Sequence, residues 1–301
     1  MERSQLEQLK KRADALVLAH YYVPGEVQDM ADFVGDSYAL AVKAAQSDKK
    51  TVVFCGVSFM GESAKILCPD KTVYLPDKDA HCAMAEMADV REAERMKREI
   101  SDLAVVTYIN SGAALKAVSD VIVTSSNALK IVAALPQKNI YFIPDRNLGR
   151  YVAEHDKTGK KFYFSEGHCP IHAHTTKEEV LAAKAAHPDA LFLVHPECPA
   201  EVCALADCAG STAEIISFAE KSEKRKFIIG TEEGVLHALK KRCPDKEFYP
   251  LREGMICGDM KKITPEKVLA ALRGEAEPVE VDERTREGAA RALRKMLELA
   301  K

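Results

Sequence analysis

Residues 20–40 read "HYYVPGEVQDMADFVGDSYAL", and two later stretches lie under them almost without gaps. They are "YINSGAALKAVSDVIVTSSNAL" from Tyr108 and "HPECPAEVCALADCAGSTAEI" from His195, so the steps are 88 residues from His20 to Tyr108 and 87 from Tyr108 to His195. At these steps His20-x-Tyr22 falls on Tyr108-x-Asn110 and on His195-x-Glu197. Asp32 falls on Asp120 and Asp207, and Ser37 on Ser125 and Thr212. Gly61 meets Gly149 after a step of 88 residues. Self-similarity at a fixed period marks a repeated structural unit. The chain therefore reads as three copies of one unit of about 87 residues.

Each copy alternates two kinds of segment. Short apolar runs of β type are "ALVLAH", "KTVVFCG", "LAVVTYI", "DVIVTS", "NIYFIP", "ALFLVH" and "KFIIGT". Between them lie stretches of helical period, among them "SYALAVKAAQ", "NALKIVAALP", "KEEVLAAKAA" and "GVLHALKKRC". Strand–helix alternation predicts an α/β protein with short parallel sheets. Three similar αβα domains about a pseudo-threefold axis are expected: residues 1–84, completed by 258–301, then 85–171 and 172–257. The last stretch, "DERTREGAARALRKMLELAK", reads as an amphipathic helix with Ala289, Leu293, Met296 and Leu297 on one face.

Composition narrows the class. The chain has 301 residues, 47% hydrophobic and 30% charged, with a net charge of −3. With a pI near 6.3 there is no electrostatic case for nucleic acid or an anionic membrane. No apolar run approaches the roughly 20 residues that cross a bilayer. The charged start "MERSQLEQLKKRADALVLAH" has no signal-peptide core. Nine cysteines without such a signal point to a reducing, cytoplasmic setting, and so to thiols or metal ligands rather than disulfides.

The repeat also interprets the cysteines. Cys169 sits in "SEGHCPIHAH" among His168, His172 and His174, with no second cysteine at zinc-site spacing. One step back stands Cys82 in "KDAHCAMAEM", and one step forward Cys257 in "EGMICGDMKK". Three equivalent loops about one axis would gather three thiolates, which select zinc, copper(I) or iron–sulfur. Three ligands suit a four-iron cluster with one open iron able to act as a Lewis acid. A Cys3His zinc site, with His168, His172 or His81 as fourth ligand, is the competing reading.

The same logic places a pocket at the axis. His20/Tyr22, Tyr108/Asn110 and His195/Glu197 stand at the carboxyl ends of predicted strands, where α/β units bind ligands. Ser37, Ser125 and Thr212 are expected to cap helix starts, and with Ser211 to hold anions there. Three such starts suit a substrate with several carboxylates or phosphates.

Plainer roles compete. Cys55, Cys68 and Cys243 lie in or beside apolar runs and read as buried thiols. Cys198, Cys203 and Cys208 have the spacing of a second metal site, but Cys203 and Cys208 have no counterparts in the other repeats. His155, His187 and His237 read as surface groups. Asp32, Asp120 and Asp207 are as readily turn devices as catalysts.

The stretches "AHYYVPGEVQDMADFVGDS", "FMGESAKIL", "PDRNLGRYVAE", "GHCPIH", "HPEC", "GST" and "CGDMKKIT" resemble the quinolinate synthase family, in order and along nearly the whole chain. The resemblance implies three α/β domains about a pseudo-threefold axis and a [4Fe–4S] cluster on Cys82, Cys169 and Cys257, with the fourth iron open to substrate. It implies condensation of iminoaspartate with dihydroxyacetone phosphate to quinolinate, for NAD biosynthesis, and a functional link to an enzyme supplying iminoaspartate. It favours iron–sulfur over zinc. Within that chemistry Glu197 is the expected base, with a raised pKa, and Tyr22 its acid–base partner. Tyr108 and Asn110 are expected to position the intermediate, and His20 and His195 to bind carboxylates or a developing oxyanion. His172 is expected in the substrate pocket. The chain departs from the family in Ala83 after the first cysteine and Asp259 before the last Met-Lys, and Asp259 could shift a cluster's potential. A non-catalytic iron–sulfur carrier or redox sensor is the alternative, though a carrier normally uses four protein thiolates.

Overall fold

The computed structural model describes residues 3–301. Strands β1 (Ala15–His20), β2 (Phe33–Gly35), β3 (Thr51–Cys55) and β4 (Thr72–Tyr74) form one sheet in the order β2-β1-β3-β4. Strands β5 (Leu103–Tyr108), β6 (Val121–Val123), β7 (Asn139–Ile143) and β8 (Lys161–Phe164) form a second in the order β6-β5-β7-β8. Strands β9 (Leu191–Val194), β10 (Cys208–Ala209), β11 (Lys226–Gly230) and β12 (Glu247–Pro250) form a third in the order β10-β9-β11-β12. Every strand pairing is parallel. The three sheets thus have one topology. The central strands are mostly apolar because helices cover both faces of such a sheet; all six residues of β1 are buried, His20 at its end included.

Polar devices recur with the sheets. Asp32, Asp120 and Asp207 each accept a hydrogen bond at 2.7 Å from a central-strand amide, of Val17, Val105 and Phe192 respectively. Each aspartate's own N–H donates to the carbonyl of that same residue. The repeated aspartate is therefore a staple that fixes a short edge strand where it meets the central one. Lys10, Lys97 and Lys184, one repeat apart, pair with the three carboxylates at 2.8, 3.0 and 3.8 Å.

A second device closes the loop after each first strand. Gln28 Nε2 donates to the Val23 carbonyl at 3.0 Å, Lys116 Nζ to that of Ser111, and Cys203 Sγ to that of Cys198 at 3.5 Å. These donors and acceptors are related by the same repeat steps. Cys203, which has no cysteine counterpart in the other repeats, stands where they have Gln28 and Lys116, of different chemistry and the same role. In a third device, Lys71, Lys160 and Lys246 cap the carbonyl ends of helices Ser37–Gln46, Ala128–Ala134 and Thr212–Lys221, donating to Ala44, Leu135 and Ser222.

The carboxyl-terminal segment returns to the amino-terminal half. Helix Pro265–Leu272 packs on helix Gly25–Met30 and on β3. Val279 N–H then bonds the Val73 carbonyl, and helix Glu283–Leu299 packs on helix Ala113–Val118, β6 and helix Ser58–Leu67. It comes close at Gly288, where a Cβ would stand 2.9 Å from the Ala117 carbonyl oxygen and Cβ, so only glycine fits without movement. Ala289, Leu293 and Met296 are fully buried, as the helical pattern requires.

Replacing Asp120 by Ala leaves the buried Val105 amide without its acceptor, a loss of about 1–3 kcal/mol. Urea unfolding of Asp120→Ala should show that loss with an unchanged m-value; stability equal to the parent would remove the staple from the fold's energetics.

Candidate active site and metal centre

The carboxyl ends of the three first strands meet at one cavity of about 250 Å³. His20, Tyr22, Ser37, Tyr108, Asn110, Ser125, His172, His195, Glu197 and Thr212 line it, together with Cys82, Cys169 and Cys257. Val57, Phe59, Met60, Met84, Ile171 and Met260 form its apolar side. A cavity of this size admits a small molecule and excludes a polymer.

The three cysteines have the same local structure. Each follows the last strand of its sheet and is the N-cap residue of a four-residue helix: Ala83–Glu86, Pro170–Ala173 and Gly258–Lys261. Burial pushes the Cys82 thiol up to about 12, drives Cys169 far above its ordinary value, and raises Cys257. Such thiols keep their protons until a metal displaces them. Three thiols converging on one cavity are a set of soft donors and fit a thiophilic metal centre. His172 Nδ1 lies 3.1 Å from Cys169 Sγ, and the donor atoms of Cys169, His172 and Glu197 all lie within 4.8 Å of one another.

Two of the three loops are held by buried carboxylates. Asp145 accepts from the Cys169 amide at 3.1 Å, and Glu232 from the Cys257 amide at 3.0 Å. The corresponding residue of the first repeat is Val57. The Cys82 loop is tied instead to the third one: His81 N–H donates to Asp259 Oδ1 at 3.2 Å. Lys262 also pairs with that oxygen, at 2.7 Å, so the charge of Asp259 is partly compensated.

Around the thiols a buried hydrogen-bonded chain joins the repeats. Tyr22 Oη lies 2.9 Å from Thr212 Oγ1 and 2.7 Å from Thr231 Oγ1. Thr231 Oγ1 lies 2.9 Å from His172 Nε2, and His172 Nδ1 lies 2.7 Å from Glu197 Oε2. Tyr108 donates its hydroxyl to the same carboxylate. Asn147 holds the Glu197 backbone through its carbonyl, at 2.9 Å. Asn110 Oδ1 is buried with no hydrogen-bond partner among the described residues, an acceptor left for a ligand to satisfy.

The electrostatics correct one expectation. Burial opposes the charge on Glu197, but the His195 and His172 rings and the hydrogen bonds from His172 and Tyr108 outweigh it and hold the carboxyl down at about 2. A carboxylate held that low is an anchoring anion rather than the base with a raised pKa read from the sequence. Burial, with Glu197 adding to it, keeps Tyr22 and Tyr108 protonated far above the ordinary phenol range. Burial also drives His20 down to about 3 and His195 to about 4, so both rings are neutral at pH 7.

The capping roles expected of the hydroxyls fall to their neighbours. Asp36 caps helix Ser37–Gln46, and Ser211 caps helix Thr212–Lys221 in a capping box with Glu214. Ser37 and Thr212 are the first helical residues, and Ser125 stands in the turn before helix Ala128–Ala134, whose N-cap is Asn127. Ser37, Ser125 and Thr212 line the cavity without capping, whereas Ser211, committed to its cap, does not line it. Among the other histidines, His174 is exposed, His168 is half-buried and lies off the cavity, and His81 stands on its rim. Thr231, Asp36 and the carboxylates Asp145 and Glu232 went unread in the sequence; Asp145 and Glu232 do share a repeat column, which was the available signal.

Three units of one topology, meeting at a small-molecule cavity walled by thiols, phenols and imidazoles, define an α/β enzyme of pseudo-threefold build. The family model described as "Quinolinate synthetase A protein" matches residues 4–298. A protein named quinolinate synthase from Caldicellulosiruptor saccharolyticus is 50% identical over 298 residues, covering 99% of this chain and 98% of its own. Others of that name, from Geotalea uraniireducens and Methanosarcina barkeri, are each 46% identical, covering 98% and 97% of this chain and 96% of their own. The chain belongs to the quinolinate synthetase A protein family.

The neutral histidines make stability depend on pH. Unfolded histidine titrates near about 6.5, above both folded values, so their contribution is complete above that pH and is lost as the pH falls toward 4. Asp145, raised by burial, acts in the opposite sense, so the informative quantity is a difference between proteins. His195→Asn should lose less stability than the parent between pH 7 and pH 4, as measured by chemical unfolding. Parallel curves would mean that His195 is not buried in its neutral form.

Proposed function

We propose that this chain condenses iminoaspartate with dihydroxyacetone phosphate to quinolinate, releasing phosphate and water, as a cytoplasmic enzyme of NAD biosynthesis fed by an iminoaspartate-producing enzyme. The observation that carries the reading is the meeting of Cys82, Cys169 and Cys257, from equivalent loops, on one cavity that also holds Tyr22, Tyr108, His195 and Glu197. A carrier of electrons has no use for such a cavity. No helix among the described residues is long and apolar enough to cross a membrane. The repeat boundaries 1–84 with 258–301, 85–171 and 172–257 are retained as the domain division.

In this reading Cys82, Cys169 and Cys257 would hold a [4Fe–4S] cluster, which supplies Lewis acidity through an open iron. The chain's own groups do the rest. Ser37, Ser125 and Thr212 bind the carboxylates and phosphate through their hydroxyls. The neutral rings of His20 and His195 hydrogen-bond substrate oxygens without adding charge. Asn110, with its unpartnered amide oxygen, and Tyr108, fixed by Glu197, position the intermediate. Tyr22 exchanges protons with it as acid–base partner. Glu197 orients Tyr108 and His172 and supplies fixed negative charge. The apolar side formed by Phe59, Met60, Met84 and Met260 keeps water from the reactive imine.

Two sets of variants, assayed anaerobically with verified iron content, test this. Cys82→Ser, Cys169→Ser and Cys257→Ser should each lose iron, whereas Cys203→Ser should load as the parent does. Tyr22→Phe should keep iron and fold but lose about a hundredfold or more in quinolinate formation, the usual reach of an acid–base group. Iron loss in Cys203→Ser with retention in Cys82→Ser would refute the ligand set, and near-parental turnover by Tyr22→Phe would refute its role.

A further inference from the structure

We infer that Lys116 determines the cavity's preference for doubly charged anions: its buried ammonium supplies, from behind the apolar wall, the positive charge that the wall itself lacks. The inference deepens the function proposed above and rests on it. Among the described residues no lysine or arginine lines the cavity, whereas Asp36, Glu197, Glu232 and Asp259 do. The His20 and His195 rings are neutral at pH 7. Lys261 is paired with Glu232 and Lys262 with Asp259, each at 2.7 Å. Such a wall repels a ligand with two carboxylates unless a free cation stands close behind it.

Lys116 is that cation. It is 0% exposed, and its Nζ lies 5.4 Å from the centroid of the Phe59 ring, which lines the cavity. It donates to the carbonyl of Ser111, the residue after Asn110 of the cavity wall. Among the described residues it forms no ion pair. Glu62, whose field acts on it, accepts instead from the Ala113 amide at 2.8 Å. Burial pulls the amine down to about 8, against the fields of Glu62 and Cys82, so it keeps its proton at pH 7. A buried charge without a partner is costly, and an anion brought into the cavity lowers that cost.

The repeat shows that the fold needs a donor at this place and not a charge. Gln28 and Cys203, one step away on either side, close their loops with neutral groups. Only the second unit uses a charged one. It does so where the side chain runs beside Phe59 and where its field reaches Cys82.

Lys116→Gln installs the first unit's own residue, which keeps a donor and removes the charge. Calorimetry on iron-loaded protein reads the binding of two probes: quinolinate, with two carboxylates, and pyridine-2-carboxylate, with one. Iron content and thermal unfolding are the controls. Lys116→Gln should weaken quinolinate binding about tenfold and pyridine-2-carboxylate binding about threefold, because the energy lost with a charge scales with the charge of the ligand. A purely structural role would weaken both alike. If Lys116→Gln does not hold iron, Lys116→Met, neutral and unbranched, takes its place. Parental affinity for quinolinate, or equal losses for the two probes, would overturn the inference. An iron-loaded parent that binds both probes but forms no quinolinate would instead overturn the function on which it rests.

Discussion

Three half-buried thiols around one cavity are the constraint that the rest of the molecule serves. Burial disfavours a thiolate, so Cys82, Cys169 and Cys257 are inert until a metal takes their protons. Holding them together requires three loops of equal reach, and the chain meets that need by using one αβ unit three times. Within each unit the strand order is the same, and the last strand leads into a cysteine at the start of a four-residue helix. The aspartate staples and lysine caps keep the short sheets in register, so that the carboxyl ends of the central strands all reach the axis.

Departures from the threefold pattern then mark where the units take on different chemistry. The column of His20, Tyr108 and His195 supplies two neutral rings and one phenol; that of Tyr22, Asn110 and Glu197 supplies a phenol, an amide and a carboxylate. The column of Val57, Asp145 and Glu232 leaves the Cys82 loop without a carboxylate, and Asp259, two residues after Cys257, reaches across to hold it. The single carboxylate of Glu197 orders the hydrogen bonds of His172 and Tyr108, and with them much of the polar wall.

Much of this was legible in the sequence because the repeat spacing is nearly constant. All seven apolar runs are strands, and the three cysteines and the column of His20, Tyr108 and His195 line the cavity as read. The strands missed, β2, β4, β8, β10 and β12, are edge strands of two to four residues, too short to show a period. The charge state of Glu197 was misread because a raised pKa follows from burial alone, whereas its partners His172 and Tyr108 come from distant parts of the chain. The hydroxyls were misassigned as caps because one residue separates a cap from the first helical position, and Asp36 and Ser211 are the better-placed acceptors. Thr231 left no repeat signal, since its column holds Gly56 and Pro144.

The central claim is that the metal centre opens onto the same cavity that binds substrate. Electron paramagnetic resonance of the anaerobically reconstituted and reduced protein tests it most directly, recorded with and without saturating quinolinate whose binding is verified by calorimetry. The account predicts about four iron atoms per chain and a spectrum that changes when quinolinate occupies the cavity. An identical spectrum with quinolinate bound would place the cluster away from the chemistry and contradict the account.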